Sequence, residues 1–341
     1  MINAPAGSGK TRVLAEAARV WAAAGQGSAV GITPSQSTRN TLAARVAESY
    51  NAAQFLGHLP GQRGARGPLG ISEGTLLLAD ESSMIPAPDL SDLVSLAGAR
   101  GGKVVLAGDA GQLQAVGNGG AMSLLADTLA YARLADPVRF RAAWEQAASL
   151  RLRAGDASVL AEYDQHGRII GGEPEQMIDA AAAACVALTL DGTDALLMAA
   201  GHGLRRELSR RIRDDLIRLA LAGAGAGVRI AGGAEAGAGD LIVCTHNGHS
   251  VQAGEPGRSL ANGDLLRIEA ITPGGLLVRR ALDADPRTGQ RRWTDRNFLY
   301  ADYGDCEPGY AVTDHVAQSR TVHTGLAASK SASPAASPAS S

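Results

Sequence analysis

A lysine followed by a threonine at the end of a glycine-rich loop can hold phosphate, and residues 4–12, APAGSGKTR, are built in that way. In the pattern G-x-x-x-x-G-K-[ST], backbone N–H groups wrap the phosphates, the lysine reaches the outer ones and the hydroxyl meets Mg2+. Gly9, Lys10 and Thr11 match, while Ala4 stands where the first glycine belongs. That change narrows backbone freedom without removing a phosphate ligand. Pro5, Ala6, Gly7, Ser8, Gly9, Lys10, Thr11 and Arg12 are therefore the candidate nucleotide-binding residues. A helix opening at Thr11 would add about half a positive charge at the same spot. The same letters also describe a glycine-rich turn before an ordinary helix. Composition weighs against that reading: of the 32 basic residues only Lys10, Lys103 and Lys330 are lysine. The compact ammonium stands where phosphate chemistry wants a point charge.

Hydrolysis needs, beyond a loop, a carboxylate for the metal and a group to position water. LLLADESSM supplies both at the end of an apolar run, with Asp80 placed to hold Mg2+ and Glu81 to orient and deprotonate water. A solvated acidic pair is the alternative. VVLAGDAGQLQAVG follows, with Gln112 three residues after Asp109. A neutral amide there could bond both a γ-phosphate and the attacking water, although a polar turn has the same letters.

Such groups converge only if strands and helices alternate, and the first half does so. SAVGIT, GTLLLAD and KVVLAGD read as short buried strands, and residues 11–24 and 39–49 as helices. This implies a parallel sheet between helices. Near Pro137 a second unit begins: helix AAWEQAASLRL, strand DALLMAA, and the arginine-rich helix LRRELSRRIRDDLIRLAL. Residues 222–239, mostly Gly and Ala, read as a linker. Then DLIVCTH, LLRIEAI, LLVRRAL and RRWTDRNFLY form four strand-like runs, a small antiparallel barrel or sheet, before GYAVTDHVAQS returns to strand and helix.

The totals suit this plan. With 341 residues, 45% apolar and 19% charged, the chain can bury two cores. A net charge of -2 leaves any nucleic-acid contact to local surfaces. Cys185, Cys244 and Cys306 lack metal-ligand spacing and fit a reducing compartment. The longest apolar run, AAAAACVALTL, is too short for a bilayer, and there is no signal-peptide pattern. A cytoplasmic protein with no membrane partner is expected. Aromatic residues are few, three Phe, three Trp and six Tyr, so none is assigned as a base stacker.

APAGSGKT, TPSQSTRNTLA, ADESSM, GDAGQLQAVGNGGA, VRFRAAWEQAASLRLRAGD, AEYDQHGRI, LANGD and GYAVTDHVAQSRTV, in this order, resemble the helicase portion of TraI-type (MobF) conjugative relaxases. These are RecD-like members of helicase superfamily 1B, and the resemblance runs over residues 3–324. It implies an α/β chain of two RecA-like P-loop NTPase domains, residues 1–135 and 136–327, the second with a barrel-like insertion at 240–300, then a disordered tail at 328–341. It implies ATP and Mg2+ as cofactors and movement 5′ to 3′ on single-stranded DNA. By the same resemblance Lys10, Glu81, Gln112 and Arg139 are catalytic, Arg139 as the arginine offered to the γ-phosphate, and Thr11 and Asp80 hold the metal. Thr33, Pro34, Ser35, Thr313, His315 and Gln318 contact DNA. On local evidence alone Arg139 also reads as a surface ion pair, TPSQS as a helix cap and His315 as a helix-start histidine.

The pattern departs from the family in places. The strand ahead of the loop is reduced to residues 1–3, the upstream adenine-contacting segment and the last helicase motif have no counterpart, Ser319 replaces a glycine, and Thr245 an arginine. A relaxase domain is absent too. The expectation is the middle of a larger protein that reaches the conjugation machinery through that domain. The alternatives are an inactive helicase remnant that still binds nucleotide, and another P-loop ATPase or kinase.

Overall fold

The computed structural model describes residues 1–5, 7–57, 71–112, 114–115, 118–134, 140, 142–223, 227–252, 259–300, 305–317, 320 and 322–329, with backbone alone at 232, 249–252 and 315. Two compact units divide the chain, Met1–Ile169 and Ile170–Ser341.

The first unit is a parallel sheet covered on both faces. Its elements run β1 (Ile2–Asn3), α1 (Lys10–Ala23), β2 (Ala29–Thr33), α2 (Gln36–Ala43), β3 (Ser49–Asn51), α3 (Ala52–Phe55), β4 (Leu76–Ala79), α4 (Ala87–Ala99), β5 (Lys103–Gly108), α5 (Ala121–Thr128) and β6 (Ala132–Arg133). The helices α6 (Ala143–Arg153) and α7 (Leu160–Gln165) follow. Strand order is β3-β2-β4-β5-β1-β6, every pair parallel. Successive side chains of a strand point to opposite faces, and β4 shows the result. Leu77 and Ala79 join the core with Phe55, Leu90 and Leu93, while Leu76 and Leu78 pack against Leu14 of α1 and Leu42 of α2. All four residues of β4 are buried, as a central parallel strand requires. Each fully buried leucine contributes roughly 1.5–3 kcal/mol.

β1, though two residues long, lies between β5 and β6, and Ala4 extends its ladder by donating its N–H to the Gly108 carbonyl at 2.9 Å. Because the sheet is parallel, the C-terminal ends of β2, β4, β5 and β1 lie along one edge, and the candidate residues follow them. One helix differs from the expected 39–49. The Ser35 hydroxyl accepts the Thr38 N–H while Thr38 reaches back to the Ser35 N–H, a capping box that starts α2 at Gln36. Ser49 instead pairs with Gly31 in β3.

The second unit contains α8 (Pro174–Leu190), β7 (Ala195–Ala199), α9 (His202–Arg218), β8 (Val228–Arg229), β9 (Glu235–Ala236), β10 (Leu241–Cys244), β11 (Gly248–Gln252), β12 (Ser259–Leu260), β13 (Leu265–Thr272), β14 (Gly275–Leu282), β15 (Arg292–Trp293), β16 (Asn297–Tyr300), β17 (Cys306–Pro308), β18 (Ala311–Val312), α10 (Asp314–Ala317) and β19 (Thr324–Ala328). A three-stranded parallel sheet, β18-β7-β19, packs on α8 and on α9, whose Leu204, Leu208, Ile212 and Leu216 recur every four residues on its buried face. Beside it, β15-β14-β13-β10-β17, with β16 also on β14, make an antiparallel sheet. Among the described residues no ladder joins its two ends.

Two expectations change here. RRWTDRNFLY splits into β15 and β16 because the Thr294 hydroxyl takes the Arg280 N–H and donates to the Asp295 carbonyl, which interrupts the ladder. Residues 222–239 are not a plain linker: β8 and β9 pair, and Ala222 and Ala236 are buried. Gly239 has a φ of 89°, and any side chain there would run into the Leu221 carbonyl. Asp240, 1% exposed, ties the parts of this unit together. It accepts Arg213 Nε of α9 at 2.8 Å, the Gly237 N–H at 2.6 Å and the Tyr310 hydroxyl at 2.6 Å. Burial, with the Asp240 charge beside it, pushes the Tyr310 phenol far up. Among the described residues no helix is long and apolar enough to cross a membrane.

Candidate functional site

The loop between β1 and α1 is shaped by two left-handed glycines, Gly7 at a φ of 76° and Gly9 at 88°. Gly9 is the N-cap of α1 with no side-chain cap, and a Cβ there would meet open space. Glycine is needed for its torsion and not for room. Ala4 has no positive φ, so an alanine serves where the motif has glycine.

Lys10 is 6% exposed, and its Nζ donates to the Ala4 carbonyl at 3.1 Å and the Pro5 carbonyl at 3.3 Å. Both of these partners are neutral carbonyls, so they offer the ammonium no counter-charge of the kind a bound anion supplies. Thr11 Oγ1 donates to Asp80 Oδ2 at 2.8 Å, although β5 lies between the strands that lead to the two residues. Asp80 Oδ1 accepts the Glu81 N–H at 2.9 Å. Burial raises the Asp80 carboxyl above its ordinary range, against the Thr11 hydroxyl, the Glu81 amide and the Lys10 charge, which all lower it. Glu81 is left-handed, with a φ of 49°, uncommon for a residue with a side chain. Lys10, Thr11, Asp80 and Glu81 thus come together at one end of the sheet.

The Asp109–Gln112 turn adjoins them. The Ala110 N–H donates to Asn3 Oδ1 at 3.2 Å, beside the loop, and the Gln112 N–H donates to the Asp109 carbonyl at 3.1 Å. Sequence reasoning missed the group that holds this turn. Arg153, at the end of α6, donates Nε to Asp109 Oδ1 and Oδ2 at 2.9 and 3.1 Å and also bonds Oδ1 through its terminal nitrogen. Asp109 is 1% exposed and accepts the Gly111 N–H as well. The pair raises the Arg153 guanidinium pKa, through the bond to Asp109 first. The one available signal was an arginine in LRLRAGD, with nothing local to name its partner.

Thr33 ends β2 and Ser35 follows it at the same edge, where the Asp80 N–H donates to the Ile32 carbonyl. The Thr33 hydroxyl, buried, donates to the Ser35 carbonyl at 3.0 Å, and Ser35 caps α2. Pro34 between them is half-buried. In the second unit, Thr313 lines an open depression with His202, Arg205, Thr245, Asn262 and Glu307, and Arg205 is paired with Glu307 at 2.7 Å. His315 lies in α10, with only its backbone described. Ala6, Arg139 and Gln318 lie outside the described residues, as do residues 330–341.

The chain is 28% identical over 325 residues to the conjugal transfer protein TraA of Rhizobium radiobacter, over 93% of this chain and 27% of that protein. The TraA of Agrobacterium fabrum matches at the same identity and coverage. A probable TraA of Sinorhizobium fredii is 29% identical over 174 residues, 49% of this chain and 15% of that protein. The chain therefore spans about a quarter of the length of the curated relatives it matches. Among solved structures, the Pif1 helicase from Candida albicans superposes with a TM-score of 0.54 at 14% identity, over 96% of this chain and 84% of that one. That likeness establishes a Pif1-like helicase fold, and the resemblance read from the motifs stands. The model of the AAA domain family (AAA_30) matches residues 1–174, which hold the loop, the Asp80–Glu81 strand end and the Asp109 turn; the protein belongs to that AAA domain family.

Proposed function

We propose that this chain is the ATP-driven motor segment of a longer conjugal transfer protein, working 5′ to 3′ on single-stranded DNA through two RecA-like domains, residues 1–135 and 136–327. The observation that carries the proposal is the buried Lys10 ammonium beside the Thr11–Asp80 pair. The donor set fits Mg2+, since one hydroxyl and one carboxylate leave the remaining positions to phosphate and water. Thr11 and Asp80 would hold the ion, which when bound neutralises charge on the phosphates.

The protein's own groups do the rest. Residues 5–12 wrap the phosphates, and Lys10 leaves the loop carbonyls to meet the outer ones. Glu81 accepts a proton from the attacking water. Gln112, on the turn held by Arg153, orients that water against the γ-phosphate. Arg139 offers its charge to the same phosphate, a role worth about 10³ to 10⁵ in rate in related enzymes. Thr33, Pro34, Ser35, Thr313, His315 and Gln318 position the DNA backbone without reading its sequence. The conjugation machinery is the expected partner, through the parts of the longer relatives that this chain does not span.

ATP turnover measured with and without single-stranded DNA tests the reading. DNA should raise the rate, and Lys10→Ala and Glu81→Gln should each abolish it. Nucleotide binding without turnover would identify the inactive remnant. Phosphate transfer to a small molecule, unaffected by DNA, would identify a kinase.

A further inference from the structure

Two of the three cysteines face each other across a strand pair. β10 and β17 are antiparallel, with Cys244 directly opposite Cys306. On either side of them the ladder bonds fall at Thr245 N–H to the Asp305 carbonyl and Gly309 N–H to the Leu241 carbonyl, both 2.8 Å. Bonded and non-bonded pairs alternate along an antiparallel ladder, so the cysteines occupy a non-hydrogen-bonded pair. Pro308, which has no N–H to give, sits opposite Ile242 in a pair of the same kind.

Opposed residues at such a site have Cα atoms about 4.5 Å apart, inside the span of roughly 4.4–6.8 Å that a disulfide bridges. Both side chains enter one core, with Ile242, Leu266 and Ile268. No disulfide joins them in this structure. β17 ends the sheet, with a ladder to β10 alone among the described strands. Edge strands open more readily than central ones, and opening β17 uncovers both sulfurs together. Cys244 also lines the depression that holds Thr245, Asn262 and Thr313.

We propose that Cys244 and Cys306 are a dithiol site that a low-molecular-weight disulfide closes reversibly. One cysteine thiolate attacks a sulfur of the small disulfide, forming a mixed disulfide and releasing one small thiolate. The second cysteine thiolate then attacks the protein-bound sulfur, forming the Cys244–Cys306 bond and releasing the other small thiolate. Two protein thiols are oxidised, one small disulfide is reduced to two thiols, and the two cysteine protons end on those thiols. The new bond fastens β17 to β10, and β17 continues through Gly309 and Tyr310 into β18 and Thr313. Cys185, on α8 in a different core from the other two cysteines, is the internal control; burial pushes its thiol up to about 11. The proposal is independent of nucleotide or DNA binding.

The test is equilibration of the full chain in glutathione buffers of increasing oxidised fraction, with and without urea below the unfolding transition, followed by acid quench and alkylation. The expected result is loss of two hydrogens in intact mass and a peptide joining Cys244 to Cys306. Cys185 should remain alkylated, and dithiothreitol should reverse the change. Cys306→Ser should lose the cross-link and leave Cys244 either alkylated or carrying a single glutathione. A folded Cys244→Ser/Cys306→Ser double variant should be insensitive to the buffer. Full alkylation of both cysteines in every buffer, stable glutathione adducts on both, or a cross-link through Cys185 would each overturn the proposal.

Discussion

Replacing Arg153 with alanine should strip a nearly inaccessible carboxylate of its counter-ion. Asp109 is 1% exposed and Arg153 contacts both of its oxygens. Removing one partner of a buried ion pair typically costs about 3–5 kcal/mol. The Arg153 side chain is 28% exposed and Asp109 keeps the Gly111 N–H, so water offsets part of the loss and about 2–3 kcal/mol is expected. For a unit of this size each kcal/mol lowers the melting midpoint by about 2–4 °C, giving a fall of roughly 4–12 °C. Asp109→Asn alone removes the charge while its side-chain oxygen still accepts the Gly111 N–H, at a cost of about 1 kcal/mol. The double variant should therefore be more stable than Arg153→Ala alone. Thermal and urea unfolding of the four proteins without nucleotide closes the cycle, with a coupling of about 1.5 kcal/mol or more. An Arg153→Ala protein within about 0.5 kcal/mol of the parent would refute this reasoning. So would a double variant that loses the sum of both single effects.

Lys10→Ala should weaken nucleotide binding about 10- to 100-fold, the loss of a charge-assisted contact. At 100 times the parent's Kd, the ligand's stabilisation should fall from about 2.7 kcal/mol to below about 1.4 kcal/mol, read as a smaller thermal shift; an unchanged shift would count against the lysine. Asp80→Asn should raise the melting midpoint of the nucleotide-free protein by a few degrees at neutral pH while reducing the stabilisation by Mg-nucleotide. The sign follows from the raised carboxyl: the folded chain holds that proton more tightly, so ionising Asp80 costs stability that is absent below the ordinary carboxylate range and grows as pH rises through it. The advantage of Asp80→Asn should accordingly vanish in acid, and a pH-independent difference would contradict it. Gly239→Ala combines a φ of 89° with a clash against backbone, so it should cost about 3 kcal/mol or more in urea unfolding. Gly9→Ala, strained but with open space, should cost only about 1–2 kcal/mol.

The parallel sheet was legible because a doubly covered strand has a composition of its own: in GTLLLAD nearly every side chain must be apolar. The Lys10, Thr11, Asp80 and Glu81 group was legible as well, since a loop after one strand and acids after another land on the same sheet edge. Arg153 was not, because it reaches Asp109 from 44 residues away and no local pattern encodes that distance. Residues 222–239 misled for the opposite reason. Glycine and alanine advertise no core, yet Gly237 and Gly239 let backbone approach backbone so closely that the absence of side chains is itself the packing signal. The break between β15 and β16 falls at Thr294, whose hydroxyl takes the Arg280 N–H, and at Asp295 beside it, a strand-poor residue that the single-strand reading of this run passed over.

The hold of the Ala4 and Pro5 carbonyls on the Lys10 ammonium has a consequence for how a triphosphate arrives. Under the proposed function, entry of a phosphate is an exchange, in which two neutral oxygens surrender a cation to charged ones. The backbone around Ala4 and Pro5 then loses a tether at the instant the ligand is captured. Amide exchange in residues 4–9 would register that hand-over even where no turnover follows.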